Sequence, residues 1–159
     1  MSASADFDNE FQAVPGILFV DHVAISVPSG ALEAQVEAYR MLGFQEVHRE
    51  DVGGKDQVRE VLLRIGDGPN LIQLLEPLSP ESPVQKMIEK NGGRGGLAHV
   101  AFRVRNARAA FDYLKQRGFS IIDKAPRPGS RGTTVFFLHP KSRAENPFGF
   151  LIEFVEEPE

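Results

Sequence analysis

Four polar residues stand at matching places in the two halves of this 159-residue chain, and their types suit metal binding. His22 and His99 lie 77 positions apart (99 − 22), each near the start of a similar apolar stretch. Gln73 and Glu153 lie 80 positions apart (153 − 73), each inside a second shared stretch. Two neutral imidazoles with a carboxamide and a carboxylate oxygen form a ligand set that suits Zn, Co, Mn, Fe or Ni as divalent ions. We therefore predict a divalent-metal site made of His22, Gln73, His99 and Glu153.

A fifth residue, Glu60, has the chemistry of a general base. It lies in the middle of an apolar stretch, and Val61 and Leu63 point to the opposite face if that stretch is a strand. A carboxylate flanked by apolar side chains is desolvated, which raises its pKa toward the range of useful proton exchange. The alternative is an exposed strand glutamate without a chemical role, and alternation alone leaves both interpretations open.

The stretches that carry these residues occur twice along the chain. DHVAI at 21–25 returns as AHVAF at 98–102, and LIQLLE at 71–76 returns as LIEFVE at 151–156. Two copies are too few for a solenoid, so we interpret them as a pair of fused modules. Modules of this length would be marginal on their own, so we expect the two to share one core.

Each half has the pattern of a strand, a helix and three further strands. Periodicity and turn residues predict strands at 17–27, 44–49, 58–65 and 71–76, with a helix that Ser29 caps and Gly43 ends. The second half predicts strands at 97–104, 119–123, 133–138 and 150–155, with a helix that Asn106 caps and Gly118 ends. Such units are typical of α+β folds with helices on one sheet face. We predict two fused β-α-β-β-β modules that form a curved mixed sheet shaped like a cup.

Alternation along the strands directs the four predicted ligands into this cup. His22 and His99 each share a strand face with a small alanine, whereas the bulkier valine, isoleucine and phenylalanine neighbours point the other way. Gln73 and Glu153 likewise point opposite to their apolar neighbours. An ordinary strand residue with a local hydrogen bond is the better interpretation of a lone histidine. For four residues at matched repeat positions, a metal site is the better interpretation.

Composition excludes several classes of function. With 42% hydrophobic residues, 25% charged residues and a net charge of −4, the chain has an ordinary surface and lacks the basic stripe that nucleic acids require. The absence of cysteine excludes disulfides and thiolate chemistry. No stretch approaches the ~18 apolar residues of a membrane span, and residues 1–11 lack the basic start of a secretory signal. We therefore expect a cytoplasmic protein without a nucleic-acid or membrane partner.

We predict one domain and a tail. Residues 1–14 are small, polar and acidic, so we expect a flexible N-terminal tail there. Residues 15–159 form the single domain, with repeats over about 17–78 and 95–156 and a helical linker over 79–94 between them.

Stretches in both halves also carry a specific resemblance. They are DHVAI at 21–25, QVRE at 57–60, LIQLLEP at 71–77, ESPV at 81–84, HVAF at 99–102, FLHPKS at 137–142 and LIE at 151–153. In this order the chain resembles the vicinal oxygen chelate superfamily and, within it, the methylmalonyl-CoA epimerase family. LLEP and FLHPKS are the more discriminating motifs. Two departures from the family are the insertion at 143–149 and Gln57, which replaces a glycine before Val58.

The resemblance implies an isomerase that interconverts the 2R and 2S epimers of methylmalonyl-CoA, an acyl-CoA thioester. Proton abstraction alpha to the thioester would proceed through a metal-stabilised enolate, with Glu60 as the base. One divalent ion per chain is implied on His22, Gln73, His99 and Glu153, with Co²⁺ favoured over Mn²⁺, Ni²⁺ or Zn²⁺. The group that donates a proton to the opposite face of the substrate is Glu153, a metal-bound water or another residue. Glu153 is the second candidate catalytic residue. The family also implies a homodimer.

Three alternatives share this fold. A glyoxalase-like lyase acting on a glutathione adduct would use all four ligand positions, but Glu60 and the LLEP and FLHPKS stretches favour the epimerase. A metal-free small-molecule binding module would not need intact ligand residues in both halves. An extradiol dioxygenase would use a two-His-one-carboxylate iron site, and the fourth ligand, Gln73, argues against it.

Overall fold

The computed structural model describes residues 13–141 and 148–158. Residues 1–12 of the predicted tail lie outside the described residues, as do residues 142–147, which include most of the insertion. No helix in the described ranges is long and apolar enough to cross a membrane.

The first half contains four strands and one helix in the predicted order. They are β1 (Ile17–Ser26), α1 (Leu32–Met41), β2 (Gln45–Val52), β3 (Val58–Arg64) and β4 (Leu71–Pro77). A connecting helix, α2 (Pro83–Lys90), follows. The second half consists of β5 (Gly96–Val104), α3 (Ala107–Gln116), β6 (Arg127–Pro128), a 3₁₀ turn (Ser130–Gly132), β7 (Thr134–Leu138) and β8 (Leu151–Glu156).

All eight strands form one mixed sheet in the order β2-β3-β4-β1-β5-β8-β7-β6. β1 pairs with β4 and β5 with β8 in parallel, and every other neighbouring pair is antiparallel. The second half therefore repeats the first in reversed spatial order, with the two halves joined by the β1–β5 pair. The predicted α+β fold of two β-α-β-β-β modules on a curved mixed sheet is confirmed.

The helices divide the sheet into a packed face and an open face. α1 packs through Leu32 and Val36 on residues of β3 and β4, and α3 packs through Phe111 and Leu114 on β7 and β8. α2 instead contributes Val84 to a cavity on the other face of the sheet. Because two helices cover one face, the polar residues of the opposite face are left to line that cavity.

The predicted strand at 119–123 is wrong. Only Ile121 forms a bridge there, to Leu138, and the short strand β6 pairs with β7 instead. The Asp123 carboxylate accepts hydrogen bonds from the Phe137 N–H and the Arg127 guanidinium, both at 2.8 Å. A side chain thus replaces the backbone partner at this end of the sheet, and the ladder cannot continue through Asp123.

The predicted Ser29 cap of the first helix is also wrong. The Gly30 and Leu32 N–H groups donate to Glu76 Oε2, at 2.9 and 3.3 Å, so the end of β4 supplies the acceptor. Glu156 occupies the equivalent place in the second half, where it accepts from the Ala107 N–H at 2.7 Å. A carboxylate at a helix N-terminus satisfies free N–H groups and complements the helix dipole. The predicted Asn106 cap is confirmed, since its side chain accepts from the Ala109 N–H at 2.9 Å.

Gln57, predicted to replace a glycine of the family, adopts a backbone conformation that favours glycine. Its φ angle is 45°, in the left-handed region that side chains other than glycine rarely adopt. The Gln57 carbonyl accepts from the Leu78 N–H at 2.8 Å, and its side chain accepts from the Ser79 hydroxyl. These bonds hold the turn that leads into β3 and Glu60.

Candidate active site

The four predicted metal ligands lie on the same face because two rows of paired residues cross the centre of the sheet. Residues paired across neighbouring strands point to the same face. One row runs Leu71, His22, Ala101, Glu153, and the next runs Gln73, Ala24, His99, Leu151. The two rows are equivalent, because each residue of one row has its repeat counterpart in the other, as His22 has in His99. Each histidine therefore lies beside an alanine of the neighbouring strand, which leaves room above the sheet.

Three of the four predicted ligands converge on one point. His22 Nε2 lies 3.1 Å from His99 Nε2 and 3.2 Å from Glu153 Oε1, and His99 Nε2 lies 3.9 Å from the same oxygen. All three residues are buried, at 3%, 6% and 8% exposure. Two facing imidazole nitrogens and a carboxylate oxygen in a buried site are the arrangement that a shared cation would satisfy.

Gln73 provides an independent observation in favour of a cation. Its Nε2 donates to Glu60 Oε2 at 3.1 Å, but its buried Oε1 has no hydrogen-bond partner among the described residues. A buried acceptor without a partner costs about 1–3 kcal/mol. Binding a cation through this oxygen would remove that cost, so the donor set of His22, Gln73, His99 and Glu153 fits a divalent ion.

The orientation of His22 is fixed by Asp21, a residue that the sequence analysis missed. His22 Nδ1 lies 2.8 Å from Asp21 Oδ1, and the other Asp21 oxygen accepts from Arg103 Nε at 2.8 Å. Asp21 is fully buried, and holding Nδ1 keeps Nε2 directed at the cation position. The available signal was a charged residue inside an otherwise apolar strand. The second half has Ala98 at this place, and His99 instead packs edge-on against Phe137 with ring centroids 5.2 Å apart.

The two histidines differ in protonation because their partners differ. Burial opposes the charged form of His22, but its bonds to Asp21 and Glu153 prevail and raise its pKa to about 9. Burial lowers the pKa of His99 to about 4. Burial also tends to raise the pKa of Glu153, yet the imidazoles of His99 and His22 hold it below its usual range. Without a metal, His22 therefore carries the proton that a cation would displace.

Glu60 lies beside the predicted ligand Gln73 and is only 2% exposed. Its Oε2 accepts from Gln73, and its Oε1 accepts from the Ser130 hydroxyl at 2.8 Å. Burial raises the pKa of Glu60, and the Ser130 hydrogen bond offsets part of this rise. Ser130 comes from the turn before β7, about which the sequence alone carried no signal, because the contact depends on how the two halves meet.

All five predicted site residues line a single cavity of about 290 Å³. Apolar side chains form much of the remaining wall, with Val58, Leu75, Val84 and Met87 among them. Such an arrangement places a Lewis-acid position and a desolvated carboxylate in one enclosed space. It is suited to removing a proton beside a carbonyl group whose oxygen gains negative charge.

Comparisons with known proteins agree with this geometry. Residues 21–137 match the family model of the glyoxalase/bleomycin resistance protein/dioxygenase superfamily. The ethylmalonyl-CoA/methylmalonyl-CoA epimerase of Cereibacter sphaeroides is 36% identical over 124 residues, which cover 77% of this chain and 88% of the relative.

Two solved structures are similar along almost their whole length. The crystal structure of methylmalonyl-CoA epimerase from Mycobacterium tuberculosis has a TM-score of 0.81 and 31% identity, and covers 94% of both chains. A methylmalonyl-CoA epimerase in complex with methylmalonyl-CoA and NH4+ has a TM-score of 0.77 and 35% identity, covering 89% of this chain and 95% of the other. This chain therefore belongs to the methylmalonyl-CoA epimerase family of the glyoxalase/bleomycin resistance protein/dioxygenase superfamily.

Proposed function

We propose that this protein epimerises methylmalonyl-CoA at the carbon between the thioester and the carboxylate. The observation that carries the proposal is the contact between Glu60 and Gln73. It joins a buried carboxylate to an amide whose free oxygen shares a cavity with His22, His99 and Glu153. A similar protein of known structure holds methylmalonyl-CoA, which supports the choice of substrate.

In the proposed reaction, Glu60 removes the proton alpha to the thioester. The electron pair of the broken C–H bond moves onto the thioester oxygen, and the proton bonds to a Glu60 oxygen. The raised pKa of Glu60 brings it closer to that of the carbon acid and so favours the transfer. A divalent cation held by His22, Gln73, His99 and Glu153 would stabilise the negative charge of the enolate as a Lewis acid.

Inversion also needs a second group that protonates the opposite face. The described carboxylates that line the cavity are Asp56, Glu60, Asp123 and Glu153. Asp56 and Asp123 are both paired with Arg127, at 3.3 and 2.8 Å. Glu153 is the remaining carboxylate, so we propose it as the second acid–base group in addition to its role as a ligand.

Three finer features belong to this proposal. We propose Co²⁺ as the native ion, with Mn²⁺, Ni²⁺ and Zn²⁺ as alternatives that the same donors accept. We also propose a homodimer, which rests on the resemblance to the family, and a cytoplasmic location, which rests on the composition of the sequence. Sedimentation of the purified protein would test the dimer, and cell fractionation would test the location.

The activity is tested by supplying purified protein with either methylmalonyl-CoA epimer and following inversion. The hemithioacetal of methylglyoxal and glutathione serves as the alternative substrate, because a glyoxalase-like lyase would turn it over. Inversion without lyase activity is the expected result. Lyase activity without inversion, or activity on neither compound, would contradict the proposed function.

The metal site is tested by measuring bound metal per chain in the wild type and in His99→Ala. We expect about one divalent ion in the wild type and a large loss in the variant. His139→Ala is a matched control, since the ring of His139 accepts from the Lys141 N–H at 3.1 Å and lies outside the cavity lining. Equal metal content in wild type and His99→Ala would refute the ligand assignment.

A further inference from the structure

Glu60 must exchange its proton with solvent, yet its direct contacts offer no open route. The side chain is 2% exposed, and its partners Gln73 and Ser130 line the same cavity. A substrate bound in that cavity therefore covers Glu60 and both partners. A base that removes a proton from one face has to lose it before the next turnover in the same direction, so a route outside the cavity is needed.

Two residues of the edge strand β2 supply such a route. Glu50 is paired with Glu60 across β2 and β3, and His48 Nε2 lies 2.8 Å from Glu50 Oε1. A ring nitrogen of His48 and one carboxylate oxygen each of Glu50 and Glu60 all lie within 4.8 Å of one another. A bridging water spans a gap of this size between two oxygens.

The outer end of this cluster is open to water. The side chains of His48 and Glu50 are 31% and 34% exposed, and neither residue lines the cavity. Glu50 is held in place because its Oε1 also accepts from the Arg131 N–H at 3.0 Å. Arg131 belongs to the same turn as Ser130, so one turn fixes both Glu50 and Glu60.

We propose that Glu50 and His48 form a proton relay between Glu60 and solvent, an inference that rests on the proposed function. Glu60 passes the abstracted proton to Glu50 through a bridging water, Glu50 passes it to His48, and His48 releases it to bulk water. Imidazole suits the last step because one ring nitrogen can accept a proton while the other releases one. Neither residue touches the substrate, so their effect is on the exchange of the Glu60 proton and not on the binding of the thioester.

The relay is tested with Glu50→Gln, which keeps an oxygen for the Arg131 N–H but cannot carry a proton. Each epimer is incubated in deuterated water, and deuterium in the unreacted substrate is compared with the amount of inverted product. With the epimer whose proton Glu60 removes, we expect this ratio to be about 10-fold lower in the variant than in the wild type. This effect is smaller than the ~10²–10⁴-fold typical of a residue that transfers the proton directly. Asp51→Asn is the matched control, because it removes the same charge from an exposed neighbour paired with Arg59 and should leave the ratio unchanged.

His48→Ala provides a second, independent readout. Added imidazole buffer should restore the exchange ratio of this variant in proportion to its concentration, and should leave Glu50→Gln unrestored. If both variants slow inversion while the ratio stays at the wild-type value, the residues only position the turn and the relay is overturned. A second bound metal ion that His48→Ala removes would also overturn it, because the same three groups would then be ligands. If the wild type neither inverts nor exchanges, the proposed function itself has failed.

Discussion

The contact between Gln73 and Glu60 makes Gln73→Glu the most informative single change. In the wild type, Gln73 Nε2 donates to Glu60 Oε2 at 3.1 Å. The substitution replaces that donor with a second carboxylate oxygen in a site where Glu60 is already buried. An attractive contact becomes a repulsive one, while the oxygen that would bind the cation is retained.

The size of the effect follows from that distance. Two unit charges 3.1 Å apart repel by about 5 kcal/mol at an effective dielectric constant of about 20, and by about 1 kcal/mol in bulk water. A bound cation offsets part of this repulsion. A remaining repulsion of only ~1.4 kcal/mol corresponds to a tenfold change in rate. The two carboxylates are expected to share a proton near neutral pH, which removes Glu60 as a base.

We therefore expect Gln73→Glu to bind the metal at least as well as the wild type and to epimerise at least ~10-fold more slowly. The added charge also weakens the Lewis acid, which acts in the same direction. Steady-state inversion kinetics on samples with matched metal content measure the result. A turnover number equal to that of the wild type would refute both the proximity argument and the role of Glu60.

Thermal unfolding of the metal-free proteins separates the two causes. Repulsion raises the carboxyl pKa values in the folded state, so the folded variant binds a proton more tightly than the unfolded chain. The stability deficit of Gln73→Glu should then be small at about pH 5 and grow as the pH rises to about 8. In a Glu60→Gln background the deficit should largely disappear, because the new carboxylate faces a carboxamide that can donate to it.

Three further predictions address the metal position and the core. Asp21→Asn should lower metal affinity by about 10–100-fold in a competition titration, because Asp21 holds His22 Nδ1; an unchanged affinity would mean that Asp21 does not orient the ligand. Metal binding near pH 7.5 should release about one proton, since the pKa of His22 is raised to about 9, and the release should vanish well above that pH. Calorimetry in buffers of different ionisation enthalpy measures the release, and a heat independent of the buffer would contradict it. Phe136→Ala should cost about 3–5 kcal/mol in urea unfolding, because Phe136 is fully buried and stacks on Phe154 at 5.1 Å. Met41→Ala, at a residue 79% exposed, should stay within about 0.5 kcal/mol of the wild type.

The repeated stretches allowed the central part of the site to be predicted from the sequence. Alternation is a local property of a strand, so the side on which His22 and Glu60 point could be read from their immediate neighbours. Matching positions in two copies then implied that His99 and Glu153 would meet their counterparts around a pseudo-two-fold axis. For the same reason the order of strands and helices was largely correct in both halves.

Contacts between segments distant in sequence were decided only by the tertiary structure. The cap of the first helix is Glu76 and not Ser29, because the end of β4 reaches the helix N-terminus once the sheet has formed. The strand predicted at 119–123 does not form because the carboxylate of Asp123 accepts the hydrogen bond of the Phe137 N–H, which the strand ladder would have needed. Ser130 reaches Glu60, 70 positions away, only because the sheet curves the second half over the first. Local periodicity determines the face of a strand on which a residue lies, whereas the residue it meets there depends on the order and curvature of the whole sheet.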